Sequence, residues 1–213
     1  MSVTEYIKKY KYETLLLSLL MLIFGDFLVP NQIARFTQPI LLLQNIAIGW
    51  ALFNLKRLKW LVGFLFVSIL IAELFQFSTD SELRVFIGIA YIVFFIFLSL
   101  RIYRKIYRSK KVEKEMISAV FCGFIMLAMI GSFIFMVIEI LHPHSFSNIG
   151  TGVEKFENIQ YFSFITTLTI GYGDIVPVSS AAKQFTILLS LTGNFYSVFV
   201  VGIVIGKFLQ SAP

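Results

Sequence analysis

Charge is scarce in this chain: 14% of its 213 residues are Asp, Glu, Lys or Arg, against 58% hydrophobic residues and a mean hydropathy of +0.84. Soluble domains carry about 25% charged residues, so a water-exposed globular fold and a charged disordered chain are both excluded. There is one cysteine, Cys122. No disulfide can form within the chain, and the thiol lies in an apolar run where it reads as packing. Histidine is limited to two residues, His142 and His144, in the polar stretch "HPHS". They are read as incidental loop residues, not as a metal site, and no pattern supports an enzyme. The net charge of +6 is not read as a nucleic-acid signal, because its distribution along the chain follows a different logic.

What is abundant is apolar length. Runs at 15–30, 39–54, 60–77, 83–100, 116–141 and 182–209 are each long enough, or nearly so, to cross about 30 Å of hydrocarbon as a helix. No small-residue cleavage site follows the first run, which therefore reads as a retained helix. The expected fold is an all-α integral membrane protein with six transmembrane helices. Six crossings place both termini on one side. With that side cytoplasmic, all of the 18 basic residues except Arg35, Arg84, Lys155 and Lys183 fall inside, as the positive-inside rule requires. Asp26, Glu73, Asp80, Glu82, Glu139, Glu154, Glu157 and Asp174 then gather at or near the external end, where acidic groups enrich cations.

Between the fifth and sixth runs lie residues 142–181. Their first part, "HPHSFSNIGTGVEK", reads as a turret-like loop, and 157–168, "ENIQYFSFITTL", as a short helix. Twelve residues reach about 18 Å, only partway across a bilayer. The chain must then return through "TIGYGDIVP" in extended form. Irregular backbone at membrane depth is tolerated where it lines a watery or ion-filled cavity. Gly171 and Gly173 permit positive φ, which lets successive carbonyls turn to one side and form a row of cation ligands.

The segment Thr169-Ile170-Gly171-Tyr172-Gly173-Asp174, with a short aromatic helix before it and long apolar runs on both sides, resembles the selectivity filter of the tetrameric potassium channel family. The resemblance implies a re-entrant pore helix and filter between helices 5 and 6, a homotetramer, and K⁺ coordinated by Thr169 to Gly173 through backbone carbonyls and the threonine hydroxyl. It covers 116–207 closely and the first four runs only in architecture. It implies a peripheral, voltage-sensor-like domain at 1–100, a linker at 101–115 and a pore domain at 116–213. Glu139 matches a carboxylate that braces the turn after the filter, and Gly193 falls at the bending glycine of the inner helix. Two departures stand out. Tyr161 and Phe162 replace a tryptophan pair that clamps the filter, so Tyr161 retains a donor toward Asp174 while Phe162 has none. Ile165 stands where some prokaryotic members carry a buried glutamate.

The fourth run has no basic residue between Arg84 and Arg101, so little gating charge is available and weak voltage dependence is expected. The segment after it, with Arg101, Arg104, Lys105 and Arg108 opposite Ile102, Tyr103, Ile106 and Tyr107, reads as an interfacial amphipathic helix facing lipid, including anionic headgroups. In the last run Asn194, Val198, Val201 and Ile205 share a face, with Val201 and Ile205 as an apolar gate, while Gly202 and Gly206 read as packing sites. Two other readings stay open: a voltage-gated potassium channel with an atypical sensor, and a component of a potassium-uptake transporter. The expected location is the cell membrane, multi-pass. No nucleotide- or calcium-binding cytoplasmic domain is expected within these 213 residues.

Overall fold

The computed structural model describes residues 10–25, 45, 81–108, 114–151 and 153–211. The apolar runs at 39–54 and 60–77 lie outside the described residues apart from Asn45, as does the first run beyond Gly25. The chain divides into two compact units, Met1–Ser78 with Glu113–Cys122 and Thr79–Val112 with Gly123–Pro213.

In the first unit, helix α1 (Lys11–Phe24) buries Tyr12, Leu15, Ser18, Leu19 and Leu22, a stripe at helical spacing. Also buried in this unit are Met116, Ala119 and Cys122, from the first turns of a long helix, α3 (Lys114–Leu141). The Cys122 Sγ donates to the Tyr12 carbonyl at 3.5 Å, and the Asn45 amide donates to the Ser18 carbonyl at 3.2 Å.

The second unit holds α2 (Ser81–Arg108), the rest of α3, a short helix α4 (Val153–Thr167), and an inner helix built from α5 (Ser180–Phe195), a π-helical segment (Tyr196–Val200) and α6 (Val201–Ser211). Among the described residues, three helices are long and apolar enough to cross a membrane: Arg84–Arg108, Glu115–Leu141 and Ser180–Lys207. Helix α2 does not stop where the apolar run stops. It continues through the basic segment to Arg108, because residues 101–108 keep an apolar stripe, with Ile102 and Ile106 buried. Its 28 residues give about 42 Å, more than the thickness of one bilayer core.

Packing between α2 and α3 is aromatic and close. Tyr91 stacks on Phe133 with ring centroids 4.8 Å apart, and a Cβ at Gly88 would fall 2.7 Å from Val137 Cγ2. The core under α4 is a phenylalanine cluster: Phe135 lies 5.1 Å from Phe162, 5.1 Å from Phe185 and 5.2 Å from Phe146. Several of these pairs meet edge-on, the arrangement that ring quadrupoles favour. Gly131 lets α3, α4 and α5 converge, since a Cβ there would meet Ser163 Oγ at 2.5 Å and Leu189 Cδ2 at 2.6 Å. Gly131→Ala should therefore force the helices apart and destabilise the fold by about 1–3 kcal/mol. The thermal unfolding midpoint of the detergent-solubilised protein tests this, and an unchanged midpoint would contradict the packing.

Candidate functional site

Helix α4 begins at Val153, four residues before the segment expected from sequence. Glu154 lies in its first turn, where a carboxylate complements the helix dipole. Lys155, in the same turn, is compensated by Glu139, whose Oε1 accepts from Lys155 Nζ at 3.0 Å. The helix is fixed to α3 by Ser163 Oγ, which donates to the Ala128 carbonyl at 2.7 Å. Fifteen residues span about 22 Å, too short to cross a bilayer.

At its end the chain turns out through a small set of backbone bonds. Thr169 N donates to Thr166 O at 3.0 Å, and the Ile165 carbonyl accepts from Ile170 N at 2.9 Å and from Gly171 N at 3.4 Å. Beyond that point φ alternates in sign: it is +59° at Thr169, +59° at Gly171 and +81° at Gly173, and not positive at the two residues between. Alternation of left- and right-handed backbone brings successive carbonyls toward one side of the strand. A β-branched residue with positive φ is an outlier, and conformations of this kind cost on the order of 1–3 kcal/mol. Sequence reading expected positive φ at the two glycines and not at Thr169, since threonine gives no sign of left-handed backbone. The strand is open on one side: Ile170 is 49% and Tyr172 71% exposed, and nothing lies within 4 Å of a Cβ built on Gly171 or Gly173.

The other side is held by the loop that follows α3. Phe146 and Pro177 form an antiparallel bridge. Ser147 N donates to Val176 O at 3.0 Å, and Val178 N to Ser145 O at 2.7 Å. The Asn148 amide donates to the Asp174 carbonyl at 2.9 Å. Glu139, a buried carboxylate, accepts from Ser145 N at 2.9 Å and His144 N at 3.2 Å. Its link to the turn after the strand thus runs through Ser145 and not by direct contact. Asn148 and Lys155 are supporting residues that sequence reading missed, because their partners lie 26 and 16 residues away.

Tyr161 and Asp174 are brought together. The carboxylate accepts from the tyrosine hydroxyl and so raises the Tyr161 pKa, with smaller contributions from desolvation and from charge repulsion by Asp174. Phe162 lacks a donor and instead joins the phenylalanine cluster, while Ile165 is buried in the same core. His142 and His144 belong to no group of three or more metal-ligating side chains among the described residues.

On the inner helix, Gly193 is a close-approach site: a Cβ there would fall 2.6 Å from the Thr167 carbonyl, so the end of α4 rests on it. The π-helical turn starts three residues later, at Tyr196, whose ring sits 5.7 Å from Tyr103 and 5.5 Å from Phe124. Ser197 Oγ donates back to Gly193 O at 3.1 Å, a bond that competes with the regular ladder. Asn194 and Val198 are exposed, as is Ile205 at 54%; the Val201 side chain lies outside the described residues. Arg104 and Arg108 are exposed, Arg101 and Lys105 half-buried, with Arg101 over the Phe97 ring at 5.0 Å. Lys207 donates to the Ile106 and Tyr107 carbonyls at 2.7 and 2.9 Å. It thereby caps the C-terminal end of α2, where a cation complements the helix dipole.

Residues 123–210 match the ion channel family, a family of channels and not of enzymes. Similar proteins include the two-pore potassium channel 4 of Arabidopsis thaliana, 39% identical over 61 residues, which are 29% of this chain and 22% of that protein. The calcium-gated potassium channel TvoK of Thermoplasma volcanium is 29% identical over 84 residues, 39% of this chain and 22% of that protein. The voltage-gated potassium channel Kch of Escherichia coli is 49% identical over 41 residues, 19% of this chain and 10% of that protein. The matched region thus spans 22% or less of each relative. No solved structure matches the chain.

The Tyr161–Asp174 contact has a defined pH signature. With the folded-state pKa raised, its contribution is complete below the ordinary phenol value near pH 10 and is lost as pH rises through the raised value. Asp174→Asn should return Tyr161 to the ordinary range in a spectrophotometric titration differenced against Tyr161→Phe. An unchanged alkaline titration would contradict the contact.

Proposed function

We propose, from the premise that residues 123–210 belong to the ion channel family and resemble potassium channels, that this chain forms one quarter of a K⁺-selective homotetrameric pore. The observation that carries the reading is the alternation of positive φ at Thr169, Gly171 and Gly173 in a strand left open on one side. In this reading the carbonyls of Thr169 to Gly173 and the Thr169 hydroxyl replace the hydration shell of K⁺. One chain supplies a quarter of each ring of ligands, and symmetric copies close it. The inner helix supports the same view, since only 18% of its most apolar window is buried, leaving apolar faces for neighbouring chains and for lipid.

Asp174, Tyr161 and Glu139 act as filter supports, Glu139 through Ser145. Gly193 and the π-helical turn after it form the bending region of the inner helix, and Val201 with Ile205 forms the apolar gate. The protein is a multi-pass cell-membrane protein with six crossings and both termini cytoplasmic. Arg101, Arg104, Lys105 and Arg108 face inner-leaflet lipid, anionic headgroups included.

Two measurements on channels reconstituted in liposomes test this. Reversal potentials should follow K⁺ and not Na⁺, and Gly173→Ala should abolish conduction or selectivity because a Cβ opposes positive φ; equal permeation of the two ions would refute the filter. Open probability should vary shallowly with voltage, because α2 carries no basic residue between Arg84 and Arg101. Steep sensors move three or four charges per subunit, each worth about 2.3 kcal/mol per 100 mV, so a curve of that steepness would favour a voltage-gated channel with an atypical sensor.

A further inference from the structure

Among the described residues, no hydrogen bond reaches the carbonyls of Thr169, Ile170, Gly171, Tyr172 or Gly173. The next carbonyl, that of Asp174, differs: the Asn148 amide donates to it at 2.9 Å. Two residues further on, the Val176 carbonyl accepts from Ser147 N at 3.0 Å. The row of carbonyls without a partner in the chain therefore ends at Gly173, and one side chain marks the end.

A carbonyl only accepts, so the part of Asn148 that faces it is the amide nitrogen. That amide is carried on braced backbone. Ser147 is tied to Val176 before it, and after it the Asn158 amide donates to the Ile149 carbonyl at 3.2 Å. Asn148 itself has φ +58°, a left-handed conformation that asparagine adopts more readily than most residues. Position 148 thus makes two demands, left-handed backbone and a side-chain donor. Glycine, aspartate and asparagine all tolerate that backbone, and of the three asparagine alone donates.

The geometry points to Asn148 as a positioning residue for the ion pathway, a role that rests on the filter reading above. By holding the Asp174 carbonyl it orients Asp174, and with it the Gly173 peptide, so that the outermost ring of ligands keeps its place when an ion leaves it. Loss of the amide loosens the Asp174 end of the row. The Thr169 end, bonded to α4 through Thr169 N and Ile170 N, is unchanged. An ion bound at the loosened end then has to supply, by mass action, the stability that the amide gave.

Single channels in planar bilayers, with K⁺ varied on one face at a time, test this. In Asn148→Gly, which keeps the left-handed backbone and removes the donor, the K⁺ concentration needed to sustain conduction should rise about five-fold at one face, the weight of one ordinary hydrogen bond. At the other face it should stay at the parent value. Asn148 is exposed, so the substitution opens no cavity. Asn148→Asp, which also lacks the donor, carries the same test if the glycine variant does not assemble. A K⁺ requirement unchanged at both faces would overturn the proposal, and so would one raised equally at both, which marks a general loss of structure. Failure of both variants to assemble would assign Asn148 to folding and overturn it as well. A parent channel that passes Na⁺ as readily as K⁺ would overturn the filter reading itself, and this role with it.

Discussion

The backbone from Leu168 to Pro177 leaves a helix and runs on without a regular ladder, and the surrounding structure is arranged to supply the partners it lacks. In an apolar medium each unpaired peptide group costs several kcal/mol. The Ile165 carbonyl takes two amides as the chain turns out of α4, and the segment 145–148 takes the far end through Ser145, Ser147 and Asn148. The stretch with alternating φ keeps its Thr169, Ile170 and Gly171 amides bonded to the end of α4. In the proposed tetramer its carbonyls would find their partners in the ion.

Support for this arrangement is concentrated in few polar contacts and many rings. Glu139 is buried, and its carboxylate oxygens accept from two backbone amides and from Lys155 Nζ, so the buried group is hydrogen-bonded. It ties the end of α3 to the start of α4 and, through Ser145, to the residues after the strand. The Phe135, Phe146, Phe162 and Phe185 rings pack together against α4. Rigidity behind the strand therefore rests on packing, while Tyr161 and Asn148 hold Asp174 at its exposed edge.

The long helices were legible from sequence because apolar length is a strong signal: 83–100, 116–141 and 182–209 correspond to α2, α3 and the inner helix. The glycine positions of the strand were legible too, since only glycine takes positive φ without penalty. Thr169 was not, because its backbone is set by tertiary bonds that leave no mark on residue type. The start of α4 was misplaced for a similar reason: Lys155 disfavours a helix N-terminus until Glu139, sixteen residues earlier in sequence, is folded against it. The inner helix read as one continuous helix, and its π-helical turn starts at Tyr196, which packs against Tyr103 and Phe124, a three-helix contact that periodicity does not encode. The helix after Arg101 was legible from the spacing of Ile102 and Ile106, but not that it continues α2 without a break, because charge marks the end of the apolar run there.

The central claim is that the 169–173 backbone binds K⁺ in an assembly of four chains. A ligand that binds only the folded assembly stabilises it by mass action, so ion identity should appear in stability without any current being measured. The thermal dissociation midpoint of the purified oligomer, followed by size in solutions of KCl or NaCl at equal ionic strength, is the most direct measurement. The account predicts a tetramer that dissociates at higher temperature in K⁺ than in Na⁺, with the difference lost in Gly173→Ala. A midpoint that is the same in both salts, or an assembly of other than four chains, would contradict it.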